Sequence, residues 1–364
     1  MEIDLIAGAR PNFVKIAPII YAINEAKEMG EIILFRLIHT GQHYDKNMSD
    51  SFFEQLGIPD PVVNLNAGGG SQAEQTAAIM IGYEKLLINK KPNLCLVVGD
   101  VTSTMACAIV AQKFHVPVAH VEAGIRSGDW TMPEEINRLV TDSITNYFFT
   151  TSKVANDNLM KSGVEEERIF FVGNTMIDTL LKHQNNFRRP IFWDEFKLSE
   201  ASYLVLTLHR PANVDEEDKL KALIDEIILN SFDLPIIFPV HPRTRRIIQN
   251  LGIMNERLHM IEPLGYLEFN YLVERAKCVI TDSGGITEEA TVLGVPCMTL
   301  RDNTERPETV FIGTNELIGT HPKAIAPAMK ILFSGKWKKG GIPELWDGNT
   351  GKRIVQTIIE KLLD

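Results

Sequence analysis

The chain has 364 residues, of which 45% are hydrophobic and 23% are charged, and its formal net charge is −10. This length suggests about two domains, and the hydrophobic content excludes a disordered protein. The acidic balance is spread along the chain without a basic stripe, which argues against a nucleic-acid partner and against attraction to an anionic membrane.

Short apolar strands alternate with amphipathic helices along the chain. In the first half, strands are predicted at 2–8, 32–38, 93–100, 117–124, 147–152 and 169–174, with helices at 13–27, 71–89, 102–114 and 134–145. In the second half, strands are predicted at 202–210, 235–241, 258–263, 278–281 and 297–300, and an amphipathic helix begins at 351. This alternation predicts βαβ units and parallel sheets.

A polar, proline-containing stretch at 183–196 interrupts the alternation and is the predicted linker. We therefore expect two Rossmann-like domains, one over 1–182 and the other over 190–350. Because such sheets bind ligands beyond the carboxyl ends of their strands, two facing domains would enclose a cleft.

Features of targeting, membrane insertion and disulfide bonding are missing from the sequence. The N-terminus, MEIDLIAGARPNF, lacks the basic region and apolar core of a signal peptide, and no apolar run is long enough for a transmembrane helix. Cys95, Cys107, Cys278 and Cys297 lie in apolar surroundings without a C-x-x-C motif, which favours buried, reduced thiols. We expect a soluble cytoplasmic protein.

The strongest local signal follows the predicted strand CVIT at 278–281. The turn Asp282-Ser283-Gly284-Gly285 separates this strand from a helical pattern at 286–293. Unpaired N–H groups at a helix N-terminus bind anions, and glycines let a phosphate approach the backbone. Glu288 and Glu289 stand in the first turns of the helix, where they can accept hydrogen bonds from a ribose diol. The alternative is an ordinary strand-to-helix turn.

Polar residues also collect at the carboxyl ends of the other predicted strands. They are Arg10, Lys15, Gln42, His43, Asp100, Glu122 and Glu134 in the first half, and His209, Arg210 and His241 in the second. Carboxylates act as bases toward a ring proton or stabilise an oxocarbenium-like centre, so this set suits a nucleotide sugar.

Several of these residues have structural alternatives. Asp100, His209 and His241 can be helix caps, Glu134 can simply favour a helix start, and Arg10 can form a structural ion pair. Glu122 closes an apolar strand and needs a partner.

Metal and nicotinamide sites are unsupported by the sequence. Neither H-x-x-x-H nor D-x-D-x-D spacing occurs, which disfavours a metal site. The loop at 68–70 follows no clear strand and does not match G-x-G-x-x-G, the pattern of a nicotinamide site. No G-x-S-x-G nucleophile elbow is present either.

Ten motifs run in order along nearly the whole chain: GARPNFVKIAP, TGQHYD, VVGDVTST, HVEAGIRSGD, PEEINR, VGNTMID, LTLHRPAN, PVHPRT, TDSGGITEEA and TERPET. As an ordered set they resemble the non-hydrolysing UDP-N-acetylglucosamine 2-epimerases. The resemblance implies a GT-B-like α/β fold with two Rossmann-like domains facing a central cleft, and a final helix, 351–364, that packs back on the first domain. It also implies a homodimer without a metal, nicotinamide or other cofactor, acting on a UDP-sugar for surface polysaccharide.

The resemblance implies roles for individual residues. In that family UDP is eliminated across C1–C2 to leave 2-acetamidoglucal, and UDP then adds back with a proton on the opposite face. By position the catalytic residues are Asp100, Glu122, Glu134 and His209, with the assignment of acid and base left open. The matching UDP-binding positions are Arg10, Lys15, Phe269, Ser283, Gly284, Gly285, Glu289 and Arg306.

The chain departs from the family pattern at a few positions. Ala9 and Asn12 replace Thr and Glu of G-T-R-P-E, Pro211 replaces the second Arg of H-R-R-E, and Tyr44-Asp45 follow TGQH. Some family members bind a second UDP-GlcNAc as an activator, and the corresponding positions here are Gln42, His43, Gln72, Arg210 and His241. The alternatives are an epimerase for a UDP-2,3-diacetamido sugar, a hydrolysing UDP-GlcNAc 2-epimerase, a GT-B glycosyltransferase and a nucleotide-sugar-binding regulator.

Overall fold

A computed structural model of the chain describes residues 1–41, 53–240 and 242–362. The chain divides into two units: Met1–Lys182 together with the segment that begins at Glu344, and His183–Pro343. Gln42, His43 and His241 lie outside the described residues.

The first unit is built on a seven-stranded parallel sheet with the order β3-β2-β1-β4-β5-β6-β7. The order reverses between β1 and β4, which is the switch point where ligands bind in such sheets. The strands are β1 (Glu2–Ala7), β2 (Leu34–His39), β3 (Val63–Asn64), β4 (Leu94–Val98), β5 (Val118–Val121), β6 (Tyr147–Thr150) and β7 (Ile169–Phe171).

Helices flank this sheet, and local signals set where several of them begin. Ser71 and Glu74 form a capping box, and Pro133 occupies the first turn of its helix, where its missing N–H costs no hydrogen bond. The helices are α1 (Arg10–Glu28), α2 (Gln72–Asn89), α3 (Thr102–Lys113), α4 (Pro133–Ile144), α5 (Lys153–Lys161) and α6 (Thr175–His183).

The last helix of the chain, α14 (Thr350–Leu362), packs against α1. A Cβ on Gly351 would lie 2.4 Å from the carbonyl oxygen of Pro18, so glycine is required for this close approach. Pro18 has no N–H to donate to the carbonyl of Val14, and the hydroxyl of Thr179 donates to that carbonyl instead, at 2.6 Å.

The C-terminal segment that belongs to the first unit begins at Glu344, whereas the sequence predicted that it begins at 351. The second unit accordingly ends at Pro343. Trp346 is buried, and its indole N–H donates to the carbonyl of Thr151. Glu344 also forms an ion pair with Lys153. These contacts attach the connecting segment to the first unit before the helix starts.

The second unit contains a six-stranded parallel sheet with the order β10-β9-β8-β11-β12-β13. Its strands are β8 (Leu204–Thr207), β9 (Ile236–Pro239), β10 (Leu258–Ile261), β11 (Cys278–Thr281), β12 (Cys297–Thr299) and β13 (Asn315–Leu317). Its helices are α7 (Pro211–Val214), α8 (Glu217–Leu229), α9 (Pro242–Asn250), α10 (Tyr266–Arg275), α11 (Gly284–Val292), α12 (Pro307–Phe311) and α13 (Ile325–Phe333).

The predicted linker is ordered against the second unit. Trp193 packs edge-on against Tyr203 and Tyr271, and the side chain of Gln184 donates to Glu274. The sequence reading missed β3, which precedes the glycine loop at 68–70, because two residues are too few to show alternation. All four cysteines are buried and free. Among the helices formed by the described residues, none has the length and apolar content needed to cross a membrane.

Candidate active site

Glu122 is a buried carboxylate at the carboxyl end of β5. Its side chain is 3% exposed, and its Oε2 lies 2.7 Å from Nζ of Lys15 on α1. Glu122 has a φ of +71°, and its N–H donates to the carbonyl of Phe149. Because L-residues rarely adopt this backbone conformation, Glu122 is held in a strained turn of the kind that clusters at functional sites. The partner expected for this carboxylate is therefore Lys15.

Gly99 directly follows β4 and lies next to the Lys15–Glu122 ion pair. A Cβ at Gly99 would lie 3.2 Å from Nζ of Lys15, and its φ of +70° favours glycine. Asn12, at the position where the family has Glu, accepts hydrogen bonds from the N–H groups of Gly8 and Ala9 and donates to the carbonyl of Val98. It therefore fixes the start of α1 against the end of β4.

Asp100 follows Gly99 and is held from α4. Arg138 Nη2 lies 2.5 Å from Asp100 Oδ2, and the side-chain amide of Asn137 donates to the carbonyl of Asp100 at 2.8 Å. The N-cap of α3 is Val101, so the interpretation of Asp100 as a helix cap is wrong. Asp100 is instead a partly exposed carboxylate oriented by a guanidinium.

The two acidic residues that start α4 differ in their surroundings. Glu135 is buried and accepts hydrogen bonds from Ser127, Gly128 and Arg138. Burial by itself raises the pKa of Glu135, but these hydrogen bonds outweigh burial and hold the pKa below its ordinary value. Glu134 is half-buried in the same first turn. Glu135 is therefore committed to structure, whereas Glu134 remains the candidate for chemistry.

In the second unit, Asp282 organises the residues that follow β8. Its carboxylate lies 2.8 Å from Nδ1 of His209 and accepts hydrogen bonds from the backbone N–H groups of His209 and Arg210 and from Asn213. Burial raises the pKa of Asp282, but the hydrogen bond and charge of His209 outweigh it and lower the pKa. An ionised Asp282 fixes a proton on Nδ1 of His209, whose side chain is 62% exposed. His209 thus presents Nε2 to solvent.

The turn after β11 leads into α11 and has the properties of an anion site. Ser283 is the N-cap residue, and its hydroxyl does not cap the helix, so it is available to a ligand together with the N–H groups of the first turn. A Cβ on Gly284 would lie 2.7 Å from Oε1 of Glu305, whose carboxylate also pairs with Arg301 at 2.6 Å. A side chain at position 284 would therefore displace the carboxylate of Glu305. Gly285 follows Gly284 in the helix.

Glu289 lies within α11 and is 4% exposed. Burial raises its pKa to about 7, although hydrogen bonds from Tyr266 and Asn270 oppose this shift. Phe269, next to Asn270 on α10, is half-buried against the neighbouring apolar core. Tyr266 and Asn270 thus bind a carboxyl group that is protonated at mildly acidic pH.

Glu288 was expected to face a ligand hydroxyl together with Glu289. Its carboxylate instead accepts from Nε of Arg306 at 2.8 Å, and both residues are buried. The pair joins α11 to the start of α12. The ion pair with Glu288 therefore fixes the position of the Arg306 guanidinium.

The positions expected for an activator are only partly described. Gln72 is exposed at the start of α2, and the Thr102 hydroxyl donates to its side chain at 3.4 Å. Arg210 Nε donates to the carbonyl of Asp282 at 3.0 Å. Gln42, His43 and His241 lie outside the described residues, and of Arg10 the structure gives the backbone, at the start of α1.

The sequence profile of the family described as UDP-N-acetylglucosamine 2-epimerase matches residues 25–359. The chain is 42% identical over 371 residues to the UDP-N-acetylglucosamine 2-epimerase of Methanocaldococcus jannaschii, covering 98% of this chain and 99% of that protein.

The chain belongs to the UDP-N-acetylglucosamine 2-epimerase family.

Three further comparisons bear on the family and the fold of the chain. It is also 42% identical over 367 residues to the UDP-2,3-diacetamido-2,3-dideoxy-D-glucuronate 2-epimerase of Pseudomonas aeruginosa, covering 100% of both. The crystal structure of the Methanocaldococcus jannaschii epimerase in complex with UDP-GlcNAc and UDP superposes with a TM-score of 0.88, covering 99% of this chain and 100% of that chain. A lipopolysaccharide outer core galactosyltransferase, 14% identical over 100% of both chains with a TM-score of 0.56, shares only the fold. The expected GT-B-like α/β fold with two Rossmann-like domains is thus confirmed.

In this epimerase family member, Arg138 of the first unit and Asp282 of the second unit each hold a predicted site residue, and sequence reasoning selected neither of them. Asp282 closes a buried apolar strand, as Glu122 does, and the same signal would have identified it. Arg138 follows Glu134 by four residues and so lies on the same face of α4.

Proposed function

We propose that the protein catalyses reversible inversion at C2 of UDP-N-acetylglucosamine to give UDP-N-acetylmannosamine. In the elimination a base removes the C2 proton, the C1–O bond to UDP breaks, and 2-acetamidoglucal with a C1=C2 double bond remains. In the addition the UDP oxygen bonds to C1 and a proton is delivered to the opposite face of C2.

The buried Lys15–Glu122 ion pair carries this proposal. A carboxylate bound to a lysine at 2.7 Å is stabilised in its ionised form, which is the form that accepts a ring proton or stabilises positive charge at C1. Asp100, which forms an ion pair with Arg138, is the second candidate carboxylate, and Glu134 is the third. Asp100, Glu122 and Glu134 are the proposed groups for moving the C2 proton and stabilising the developing charge.

The proposed UDP contacts of the second unit are Phe269, Ser283, Gly284, Gly285, Glu289 and Arg306, with Arg10 and Lys15 contributed by the first unit. The N-terminus of α11 supplies N–H groups for the diphosphate, and the carboxylate of Glu289 suits the ribose diol. His209, held through Nδ1 by Asp282, donates from Nε2 to the departing phosphate when it is protonated. No cofactor is assigned in this proposal.

The proposed setting is a cytoplasmic homodimer that supplies UDP-N-acetylmannosamine for surface polysaccharide. The four free, buried cysteines support a reducing compartment. Sedimentation equilibrium of the purified protein measures the oligomeric state. A monomer at micromolar concentration would contradict the dimer.

A second substrate has specific support. The Pseudomonas aeruginosa relative, named for a UDP-2,3-diacetamido-2,3-dideoxy-D-glucuronate, is as similar to this chain as the Methanocaldococcus jannaschii epimerase. The deciding experiment is proton NMR in deuterated water with each UDP-sugar separately. Deuterium at C2 of a UDP-N-acetylmannosamine product supports the proposal, whereas exchange only with the diacetamido sugar assigns the second substrate. Free N-acetylmannosamine with UDP would indicate the hydrolysing reaction.

The role of Glu122 is tested in the same assay. Glu122→Gln should abolish C2 exchange while the Kd for UDP stays within about threefold, because the amide is isosteric but a poor base. Glu25→Gln, which removes a carboxylate from an exposed ion pair with Lys352, is the matched control and should retain full exchange. Exchange at the wild-type rate in Glu122→Gln would remove Glu122 from the mechanism.

The activator positions Gln42, His43, Gln72, Arg210 and His241 are proposed only for a second UDP-GlcNAc molecule. A test starts the reaction from UDP-N-acetylmannosamine alone. A lag that trace UDP-GlcNAc abolishes supports an activator, and immediate turnover contradicts it.

A further inference from the structure

A buried histidine lies against the turn that carries Asp100. His120 is the third residue of β5 and is fully buried. Its Nε2 lies 2.8 Å from the carbonyl oxygen of Gly99, and its Nδ1 lies 2.7 Å from Oδ1 of Asp142 on α4. Because Gly99 directly precedes Asp100, His120 bonds the backbone next to a proposed catalytic carboxylate.

The partners of His120 define how many protons its ring carries. A carbonyl oxygen only accepts, so Nε2 must donate to Gly99. Asp142 Oδ2 accepts from the N–H of Gly124 at 3.1 Å and lies 2.6 Å from Nη1 of Arg126. Burial raises the pKa of Asp142, but the hydrogen bonds and charges of His120 and Arg126 lower it overall. Because the Arg126 guanidinium and the Gly124 N–H bind Oδ2 independently of His120, the carboxylate is held in its ionised form and also only accepts. Both ring nitrogens therefore face acceptors.

We propose that Asp142 keeps His120 protonated on both ring nitrogens and that this imidazolium fixes the Gly99–Asp100 turn, which makes His120 a positioning residue for Asp100. The positioning role rests on the proposed function, since it concerns the carboxylate assigned to C2 chemistry there.

Helix α4 holds this turn in two ways. Asn137 and Arg138 bind the carbonyl and the carboxylate of Asp100 directly. Asp142, one helical turn beyond Arg138, reaches the carbonyl of Gly99 through His120. The turn needs such restraint because Gly99 has a φ of +70° and must leave room for the Lys15 ammonium. A charged donor forms a stronger hydrogen bond to a carbonyl than a neutral one does.

Two substitutions at His120 separate its two hydrogen bonds. In His120→Gln the side-chain amide nitrogen takes the place of Nε2 and still donates to Gly99, whereas in His120→Asn it takes the place of Nδ1 and reaches only Asp142. We expect kcat for C2 exchange to fall at least tenfold in His120→Asn and no more than threefold in His120→Gln. The Kd for UDP should stay within threefold in both variants, because most of the proposed UDP contacts lie in the second unit. Equal kcat values in the two variants would overturn the positioning role.

The protonation state has a readout that does not depend on turnover. In protein with 15N-labelled histidine rings, the signals lost in His120→Gln identify His120, and we expect a proton on both nitrogens. Asp142→Asn should convert the ring to a neutral tautomer with a proton on one nitrogen. A neutral ring in the wild-type protein overturns the proposal.

Failure of the proposed function is distinguishable from failure of this inference. If the wild-type protein exchanges C2 of neither UDP-sugar, the proposed function fails, and the NMR result still decides the state of His120. Amide hydrogen exchange of the peptide containing Asp100 then replaces kcat. Amide exchange at least tenfold faster in His120→Asn than in His120→Gln supports the positioning role of His120, and equal rates contradict it. If His120→Asn does not fold, His120→Gln and Asp142→Asn are compared with the wild type by the same two methods. NMR then reports the protonation of the His120 ring. Equal amide hydrogen exchange of the Asp100 peptide in all three proteins would overturn the positioning role.

Discussion

Lys15 on α1 and Glu122 after β5 are joined by a 2.7 Å ion pair, although 107 residues separate them in the chain. Their side chains are 14% and 3% exposed, so water screens this pair only weakly. The pair links the carboxyl ends of two strands that flank β4 in the sheet.

Removal of the Lys15 ammonium should destabilise the first unit. Lys15→Met leaves the buried Glu122 carboxylate without its cation, and breaking a buried pair in this way costs about 3 kcal/mol. Urea unfolding measures the loss, and adding Glu122→Gln to Lys15→Met should recover most of it. Lys352→Met, which breaks an exposed pair with Glu25, is the control and should cost no more than about 0.5 kcal/mol. Similar losses in the two single variants would contradict this account.

Stability of the second unit should fall as pH rises through the titration of Glu289. Its pKa is raised to about 7 in the folded protein against about 4.5 when unfolded, so the native state binds more protons between these values. Unfolding free energy is therefore highest below the unfolded pKa, and about 3 kcal/mol is lost by pH 8. Glu289→Gln should remove this pH dependence. Between pH 5 and pH 8 the variant should therefore lose less unfolding free energy than the wild type does. Urea unfolding at the two pH values measures it.

The same substitution should weaken UDP binding while it stabilises the protein at pH 8. A lost charged hydrogen bond to the ribose corresponds to about a tenfold higher Kd by calorimetry. Glu200→Gln, on the surface of the same unit, is the control and should change neither the pH dependence nor the Kd. A pH dependence retained in Glu289→Gln would assign it to another group.

Thr179 should stabilise the protein by replacing the backbone N–H that Pro18 lacks inside α1. The Thr179 hydroxyl donates to the carbonyl that Pro18 leaves without an N–H, so Thr179→Val should cost about 1–2 kcal/mol. In a Pro18→Ala background the new N–H satisfies Val14, and the cost of Thr179→Val should fall by about 1 kcal/mol.

A double-mutant cycle of urea unfolding measures this coupling. Thr357→Val is the matched control, because its hydroxyl bonds the carbonyl of Arg353 within a regular helix. Additive effects of Thr179→Val and Pro18→Ala would show that the hydroxyl does not replace the missing donor.

Gly284→Ala should disturb the start of α11. The new Cβ would lie 2.7 Å from Oε1 of Glu305, so the end of this side chain, which pairs with Arg301, must shift. We expect the Kd for UDP to rise about tenfold, about 1.4 kcal/mol, by calorimetry. In Gly341→Ala the nearest atom would be 3.8 Å away, so that variant should bind UDP normally. Unchanged affinity in Gly284→Ala would show that the turn tolerates the shift.

The elements found most closely from sequence are those whose signal is local. The strand at 278–281 has the predicted bounds because four apolar or β-branched residues lie between turn signals. By contrast β13 (Asn315–Leu317) and β3 are too short to show a pattern and exist because a neighbouring strand supplies hydrogen-bond partners.

The sequence by itself determined the α/β class, the two sheets, the family and the positions of the acidic residues at strand ends, because alternation and ordered motifs are properties of neighbouring residues. Only the tertiary structure decided which partner each charge takes. Lys15, which stays a proposed diphosphate contact, forms an ion pair with Glu122, and Glu288, predicted to face a ligand hydroxyl, forms an ion pair with Arg306. Ion pairs depend on distance across the sheet and on burial, and spacing along the chain encodes neither of them.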